Sequence, residues 1–462
     1  MKKPNIVMIL IDDMGWRDLQ CFGSTFYETP NIDALAAEGT VFTQAYASCP
    51  VCSPSRASLM TGKYPARVGL THYIGGHDWG KLMEVPYVDH LPLEEYTLPK
   101  ALRDAGYHTW SVGKWHLGEK EYYPEHQGFE VNVGGCSWGH PHDGYFAPWG
   151  IENLPSDVPE GTFLTDYLTD RAVELIQIQK KDDAPFFLYW SHYAVHTPIQ
   201  AKPEDLARFE EKSRRMKLDQ VNPYVEGEHF PCWHKRKERV LRRLVQSDVP
   251  YAALIWNLDQ NVGRLVQALK DCGEYENTII VFTSDNGGLA TAEGSPTCNA
   301  PLSEGKGWGY EGGVRVPLIV AGPGIAAHRW CDSPTTTPDW YPTFLELAGL
   351  PPQPQQHQDG VSIAPLLRGE TMEERPLFWH YPHYGNQGGQ PMAAVRRGNY
   401  KLLKFFEDNH TELYDLSQDI GESFNLTGEL PDLANELETL LDAWIQEVGG
   451  IVPQPNPEVC WD

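Results

Sequence analysis

The run Cys49-Pro-Val-Cys52-Ser-Pro-Ser-Arg56-Ala-Ser-Leu-Met-Thr-Gly62 gathers two thiols, several hydroxyls and a guanidinium into one short segment. Taken as a C-x-x-C pair, Cys49 and Cys52 suggest redox chemistry or zinc. A zinc site needs a second ligand pair, and the sequence contains no second C-x-x-C. The local signals point elsewhere. Ser53 and Pro54 read as the N-cap and first turn of a helix running through Leu59 to Gly62. Cys52 then stands at the positive end of that helix, where free backbone N–H groups favour an anion or a polarised nucleophile. Four further clusters carry acid, base or charge: Asp12-Asp13, Lys114-Trp-His116, His196-Thr-Pro198 and Asp285-Asn286. Singly, each has an ordinary structural reading, as a solvated turn or a hydrogen-bonded histidine.

Their positions in the chain remove that independence. Short apolar runs at 6–11, 108–113, 186–190 and 278–283 read as strands, and each is followed at once, or within a few residues, by one of these clusters. A fifth run, 316–320, closes on Ala-Gly-Pro-Gly324. Between the runs, 97–105, 164–179 and 251–269 show apolar residues at three- and four-residue spacing, as amphipathic helices do. Alternation of this kind predicts an α/β fold with a large, mostly parallel sheet flanked by helices. Ligands of such sheets bind beyond the carboxyl ends of the strands, so Asp12, Asp13, Lys114, His116, His196, Asp285 and Asn286 are predicted to converge. The Pro- and Gln-rich stretch 351–357 reads as a linker or long surface loop. From about residue 375, short segments at 377–380, 392–395, 400–406 and 413–414 predict a small antiparallel sheet, covered by a helix over 430–448. The expected division is a catalytic domain at 1–374 and a small α+β subdomain at 375–462, ending in an irregular tail from 453.

Composition bounds the partners. With 37 Lys and Arg against 63 Asp and Glu, the net charge of −26 disfavours nucleic acid and anionic membrane surfaces. The 41% hydrophobic content, with 15 Trp and 22 Tyr, supports a large core. Nine cysteines in 462 residues are too few for a disulfide scaffold and predict a mostly reduced chain. No stretch approaches the ~18 apolar residues of a membrane span. The opening Met1-Lys2-Lys3 precedes an apolar run that stops at Asp12-Asp13, so it reads as a strand and not as an export signal; a cytoplasmic location is expected. Any anionic substrate would then need local positive charge. The basic stretch His234-Lys-Arg-Lys-Glu-Arg239 with Arg242-Arg243 is expected to be a solvated helix face in an insertion, and Phe230-Pro-Cys-Trp-His234 to shape a pocket rim.

The C-x-P-x-R pattern of Cys52, Pro54 and Arg56, with Thr61-Gly62 downstream, resembles that of the type I, formylglycine-dependent sulfatases, and arylsulfatases and N-acetylgalactosamine sulfatases in particular. Cys49 does not fit the pattern, so the resemblance assigns the modified cysteine to Cys52. The similarity runs through nearly the whole chain. Asp12 and Asp13 match the family's first metal-binding pair, and Asp285-Asn286 the second. Gly113-Lys114-Trp-His116-Leu-Gly118 matches its Lys and His motif, and His196-Thr-Pro198 the histidine facing the leaving group. Gly305-Lys306-Gly307, followed by Tyr310-Glu-Gly-Gly-Val-Arg315-Val-Pro317, matches a second sulfate-binding lysine with its flanking strand.

The resemblance implies an alkaline-phosphatase-like fold, conversion of Cys52 to formylglycine by a formylglycine-generating or anaerobic sulfatase-maturating enzyme, and one Ca2+, with Mg2+ as the alternative. The ion would be held by Asp12, Asp13, Asp285, Asn286 and residue 52, oxygen donors that suit a hard cation. One hydroxyl of the aldehyde hydrate would attack sulfur, Lys114 and Lys306 would stabilise charge, His196 would protonate the departing alcohol, and His116 would serve the second hydroxyl. Arg56 is expected to pair with the modified side chain or with Asp12 or Asp13. The expected substrate is a sulfated carbohydrate, such as a sulfated amino sugar or a glycosaminoglycan fragment, with activity on small aryl sulfates. His72, His77, His140 and His383 are candidate substrate contacts, from loops rich in aromatic residues and histidine. A phosphonate or phosphate monoester hydrolase is the alternative enzyme, and a calcium-dependent glycan-binding protein with unmodified Cys52 the alternative from another class. The oligomeric state is left open.

Overall fold

The structure, a computed structural model, describes residues 2–179 and 183–459. The first apolar run forms strand β1 (Asn5–Ile11), buried along its whole length because helices and sheet neighbours cover it on every side. The remaining strands are β2 (Thr40–Tyr46), β3 (His108–Gly113), β4 (Val131–Val133), β5 (Phe186–Ser191), β6 (Tyr224–His229), β7 (Arg239–Arg243), β8 (Thr278–Ser284), β9 (Arg315–Ala321), β10 (Arg329–Cys331), β11 (Thr335–Thr336), β12 (Leu377–Tyr381), β13 (Met392–Arg397), β14 (Tyr400–Phe405) and β15 (Thr411–Asp415). The large sheet has the order β10-β2-β9-β8-β1-β5-β3-β4, with β11 beside β2. It is parallel except at β9, which runs antiparallel to both β2 and β8.

Register makes the strand ends level. Leu10 and Gly113 both pair with Ser191, and Ile11 pairs with Ser284. The segments just beyond keep the alignment: Lys114 N donates to Ser191 O at 2.7 Å, and Asp285 N to Ile11 O at 3.1 Å. Gly113 is needed for this approach. Its φ is +104°, and a Cβ there would stand 1.8 Å from Ser191 O.

The main helices are α1 (Pro30–Glu38), α2 (Cys52–Thr61), α3 (Leu98–Asp104), α4 (Leu164–Gln179), α5 (Pro203–Met216), α6 (Val249–Cys272), α7 (Trp340–Leu347) and α8 (Pro431–Glu447). Seven of them fall into two groups, with α1, α4 and α5 packed on α6, and α3 and α7 packed on α2. In α6, Tyr251, Leu254, Ile255, Leu258, Val262, Leu265 and Leu269 form the buried stripe, Asp248 caps the start and Gly273 closes the end at φ 75°. Its Asp259 also caps a neighbouring helix, accepting from Asn31 N and Ile32 N of α1, each at 2.9 Å. Asp259→Ala is expected to lower unfolding free energy by about 1–2 kcal/mol, seen as an earlier urea midpoint with an unchanged slope.

The second sheet, β12-β13-β14-β15, is an antiparallel meander. Helix α8 packs on β13 and β14 and buries Ala434, Leu437, Leu441, Trp444 and Ile445. The opposite side of this sheet supports the segment leading into α2. Trp379 Nε1 donates to Ala47 O at 2.8 Å, and one apolar cluster joins Tyr46, Cys49 and Val51 to Trp379, Tyr381 and Leu403.

One expectation is corrected. The basic stretch is not a helix face: only residues 233–235 make a single 3-10 turn, and Arg239–Arg243 is strand β7, paired antiparallel with β6. Its apolar Val240, buried between charged neighbours, fits the two-residue period of a ribbon. Arg242 pairs with Glu228 and Glu304, and Arg243 with Asp248, so these charges are neutralised by acids of this chain. The stretch 351–357 is an irregular, mostly exposed loop, in keeping with the second of its two expected readings. Gln356 accepts from Tyr96 N at 3.0 Å and donates to Thr61 O at 3.1 Å, tying the loop to the end of α2. Of the tail, the described part to 459 carries no helix, and Pro455 bridges to Leu82. Among the described residues no helix is long and apolar enough to cross a membrane, and every cysteine is a free thiol.

Candidate active site

Helix α2 begins at Cys52, one residue ahead of the expected cap at Ser53. Pro54 is tolerated because N–H groups in the first turn need no intrahelical partner. The Ser53 hydroxyl accepts from Ile74 N at 3.2 Å instead of capping. All ten residues of α2 are buried, and Gly62, at φ 70°, ends the helix. Cys52 is thereby fixed at a buried helix N-terminus. Its Sγ lies 3.3 Å from His116 Nδ1, while His116 Nε2 faces Ile74 O at 3.3 Å. That carbonyl only accepts, so Nε2 carries the ring hydrogen and Nδ1 turns a lone pair to residue 52. Burial, reinforced by Lys114 and Arg56, holds His116 well below its ordinary pKa and keeps it neutral.

The levelled strand ends bring three acids and three cations together without exposure. Asp12, Asp13 and Asp285 are 0%, 1% and 2% exposed, and Arg56, Lys114 and Lys306 are 0%, 0% and 4%. Lys114 Nζ contacts both Asp12 oxygens, at 2.9 and 2.8 Å. Lys306 Nζ lies 2.8 Å from Asp13 Oδ2 and 3.0 Å from His196 Nε2. Arg56 reaches Asp285 Oδ2 with Nε and Nη2, each at 2.8 Å, and Ser191 Oγ with Nη1 at 2.5 Å. Its tightest acidic partner is Asp285, while Asp12, one of the expected partners, forms a looser ion pair at 3.7 Å. The cause is register, since β1 and β8 are paired and Asp285, directly after β8, comes within reach of Arg56 on α2.

Burial raises Asp13, but Lys306, His196 and Lys114 outweigh it and hold the carboxyl below its usual range. For Asp12, burial wins over Lys114, and the neighbouring Asp285 and Asp13 push it further up. Burial and Lys306 hold His196 well below its ordinary value. His196 Nδ1 faces Thr197 O at 2.9 Å and so carries the hydrogen, leaving Nε2 to accept from Lys306. Burial also raises the Cys52 thiol despite both lysines.

The donor set fits a hard divalent cation. Asn286 Nδ2 donates to Asp13 Oδ1 at 2.9 Å, which leaves Asn286 Oδ1 buried among the carboxylates with no hydrogen bond from the described residues. An orphaned amide oxygen beside three carboxylates, one of them destabilised by crowding, is satisfied by a cation bound through oxygens. Cys49 takes no part: its backbone is tied to Ser55 Oγ, and it belongs to no cluster of metal donors among the described residues.

Cys52, His116, His196 and Lys306 form the floor of a cleft of about 670 Å³. Its walls include Tyr73, Trp138, His140, Glu293, Asn386 and Gln387. Of the four histidines expected to touch substrate, only His140 reaches this cleft, where it stacks on His196 at 5.6 Å. His77 is exposed on the surface and pairs with Glu84. His72 and His383 are buried and stacked on each other at 4.4 Å, with partners Tyr381 and Thr71, so their loop positions serve packing between the two sheets' segments. Glu119, His142, Glu293, Asn386 and Gln387 also line the cleft and were not singled out in the sequence. The only signal for the last two was a turn composition, Gly385-Asn-Gln-Gly-Gly389.

Residues 4–350 match the family described as Sulfatase, and residues 305–447 that described as N-sulphoglucosamine sulphohydrolase, C-terminal. A "Sulfatase" of Formosa agariphila is 33% identical, the match covering 96% of this chain and 89% of that protein. The N-acetylgalactosamine-6-sulfatase of Canis lupus familiaris is 30% identical over 99% of this chain and 88% of its own. Among solved structures, Ps i-CgsB in complex with k-i-k-neocarrahexaose superposes with a TM-score of 0.76 at 30% identity, covering 96% of this chain and 92% of that one.

Proposed function

The chain belongs to the sulfatase family and is a sulfuric ester hydrolase, and from that premise we propose that it cleaves sulfate monoesters of a small sulfated carbohydrate. In this reading Cys52 is converted to formylglycine by a maturating enzyme, and Asp12, Asp13, Asp285 and Asn286 hold calcium, or magnesium, together with residue 52. The observation that carries the reading is the convergence of three buried acids and three buried cations on a cysteine at a helix N-terminus, at the floor of a cleft. Formylglycine would supply a hydroxyl nucleophile on its hydrate, and the cation would offset the charge of the sulfate.

The charge count supports this division of labour. Three carboxylates balance Arg56, Lys114 and Lys306, so a bound divalent ion leaves an excess of positive charge for a sulfate ester anion inside an acidic protein. His116 Nδ1, lone pair towards residue 52, accepts a proton from a hydroxyl there. His196 Nε2 and Lys306 Nζ, 3.0 Å apart, share a proton that can pass to the oxygen of the departing alcohol. Trp138, His140 and Tyr73 on the cleft walls give a sugar ring faces to stack on and polar edges to bind. The canine relative's name and the neocarrahexaose complex support a sulfated sugar as the substrate class.

Sulfate release from a panel of sulfated mono- and disaccharides, run beside an aryl sulfate and an aryl phosphate, tests the proposal. Turnover is expected on the sulfates; faster turnover of the phosphate would overturn it. Lys306→Ala is expected to lower kcat/KM about 10²–10³-fold, the effect of removing one fixed donor to a developing oxyanion. Circular dichroism and the unfolding midpoint of the variant separate that loss from misfolding.

A further inference from the structure

We propose a second metal site, for zinc, formed by Asp78, Cys232 and His234 beside the cleft. The ligand atoms of the three side chains all lie within 4.8 Å of one another. Asp78 and Cys232 are buried, at 4% and 0% exposure, and His234 is partly exposed. Asp78 Oδ1 lies 2.9 Å from His234 Nδ1. Its other oxygen, Oδ2, is buried, and the Tyr73 hydroxyl lies within hydrogen-bonding reach of the same carboxyl.

The histidine is oriented from its far side. His234 Nε2 lies 2.8 Å from Asn386 Oδ1, an acceptor, so Nε2 carries a hydrogen and Nδ1 is the nitrogen turned to the carboxylate. At that distance the two atoms are bridged either by a second ring proton or by a metal ion. A second ring proton would pair His234 with Oδ1 alone and leave the Cys232 thiol outside the interaction, although its sulfur lies within 4.8 Å of both other ligand atoms. Zinc uses all three, since sulfur, imidazole nitrogen and carboxylate oxygen are its ordinary ligands; calcium and magnesium take oxygen alone. A water completes the four-coordinate shell. Binding releases the thiol proton to solvent, and with it any second proton on the ring, and no electron is transferred.

The backbone holds the ligands in place without the metal. Trp233, between Cys232 and His234, donates its N–H to Trp79 O at 2.8 Å, and the indoles of Trp79 and Trp233 stack at 5.1 Å. Each ligand therefore adjoins a residue already locked against the opposite segment. Lys235, beside the same carboxyl, is drawn off to Asn386 O at 3.0 Å. The contact between His234 and Asn386 also reaches the cleft, because Asn386 donates on to Tyr73 OH at 3.0 Å and both residues line it. The zinc site is thus a positioning device for a substrate-facing wall, and its ligands touch no reacting atom.

The test compares the full-length wild type with Cys232→Ser and His234→Ala, each equilibrated with zinc, gel-filtered and analysed by inductively coupled plasma mass spectrometry. The wild type is expected to retain about one equivalent of zinc more than either variant. Loaded with cobalt instead, it is expected to show a thiolate-to-cobalt charge-transfer band that Cys232→Ser lacks. Zinc should raise the unfolding midpoint of the wild type and not of the variants, and removing it should raise KM with kcat little changed. His234 is at the surface, so His234→Ala reports on the site even if Cys232→Ser folds poorly. Equal zinc in all three proteins, or a cobalt complex without the thiolate band, would overturn the proposal and leave a protonated ion pair. Neither result depends on the sulfatase chemistry at Cys52.

Discussion

Cys52→Ala is expected to abolish turnover, by about 10⁴-fold or more, because it removes the only group at the cleft floor that formylglycine conversion could use. The protein should nevertheless fold. The side chain is 3% exposed, and the substitution deletes one sulfur while leaving α2 with its Arg56 anchor and Gly62 stop. Its unfolding midpoint is expected to stay near that of the parent, which separates loss of chemistry from loss of structure. Cys52→Ser should behave alike wherever the maturating enzyme acts only on cysteine. The thiol as it stands is a poor nucleophile here, since burial and the nearby Asp12 and Asp285 disfavour the thiolate against the pull of the two lysines. Peptide mass spectrometry of active wild type should show residue 52 lighter than cysteine by about 18 Da, the difference between thiol and aldehyde. Full activity in Cys52→Ala would refute the mechanism; an unshifted peptide in fully active protein would refute the modification.

Arg56→Ala should do the opposite and damage the fold first. Arg56 is fully buried and spreads its guanidinium over Asp285, Ser191 and Lys114 O, joining the ends of β8, β5 and the segment after β3 to α2. Without it, Asp285 loses the basic partner that it has among the described residues. Breaking a buried pair from one side costs about 3–5 kcal/mol, a large part of the roughly 5–15 kcal/mol that holds a domain together. The expected result is low soluble yield and a much earlier urea midpoint. Arg56→Lys keeps the charge but loses the planar fork, so it should recover part of the stability and little of the activity. An Arg56→Ala protein as stable as the parent would show that the network is not structural.

Much of the site was legible in the sequence because its chemistry is attached to strand ends. Asp12-Asp13, Lys114 and Asp285-Asn286 each follow an apolar run, and parallel pairing carries the ends of such runs to one edge whatever their separation along the chain. The ribbon β6-β7 was misread because clustered Arg and Lys obscured a two-residue period that rests on few apolar positions, chiefly Val240. His72 and His383 were misassigned for a related reason: a histidine in an aromatic loop looks the same whether the loop faces a cleft or packs against another. The Asp78, Cys232 and His234 cluster had no motif to announce it, as its ligands come from two distant segments brought together by the Trp79 and Trp233 stack.

The sequence by itself determined the fold class, the family and the residue types of the reaction, because these depend on periodicity and on motifs local to single segments. Which acid Arg56 holds, which histidine nitrogen bears the lone pair and which side chains form the cleft walls were decided only in the tertiary structure. Those properties depend on strand register and on contacts between loops far apart in the chain, and in a packed interior a shift of one residue in register exchanges one partner for another.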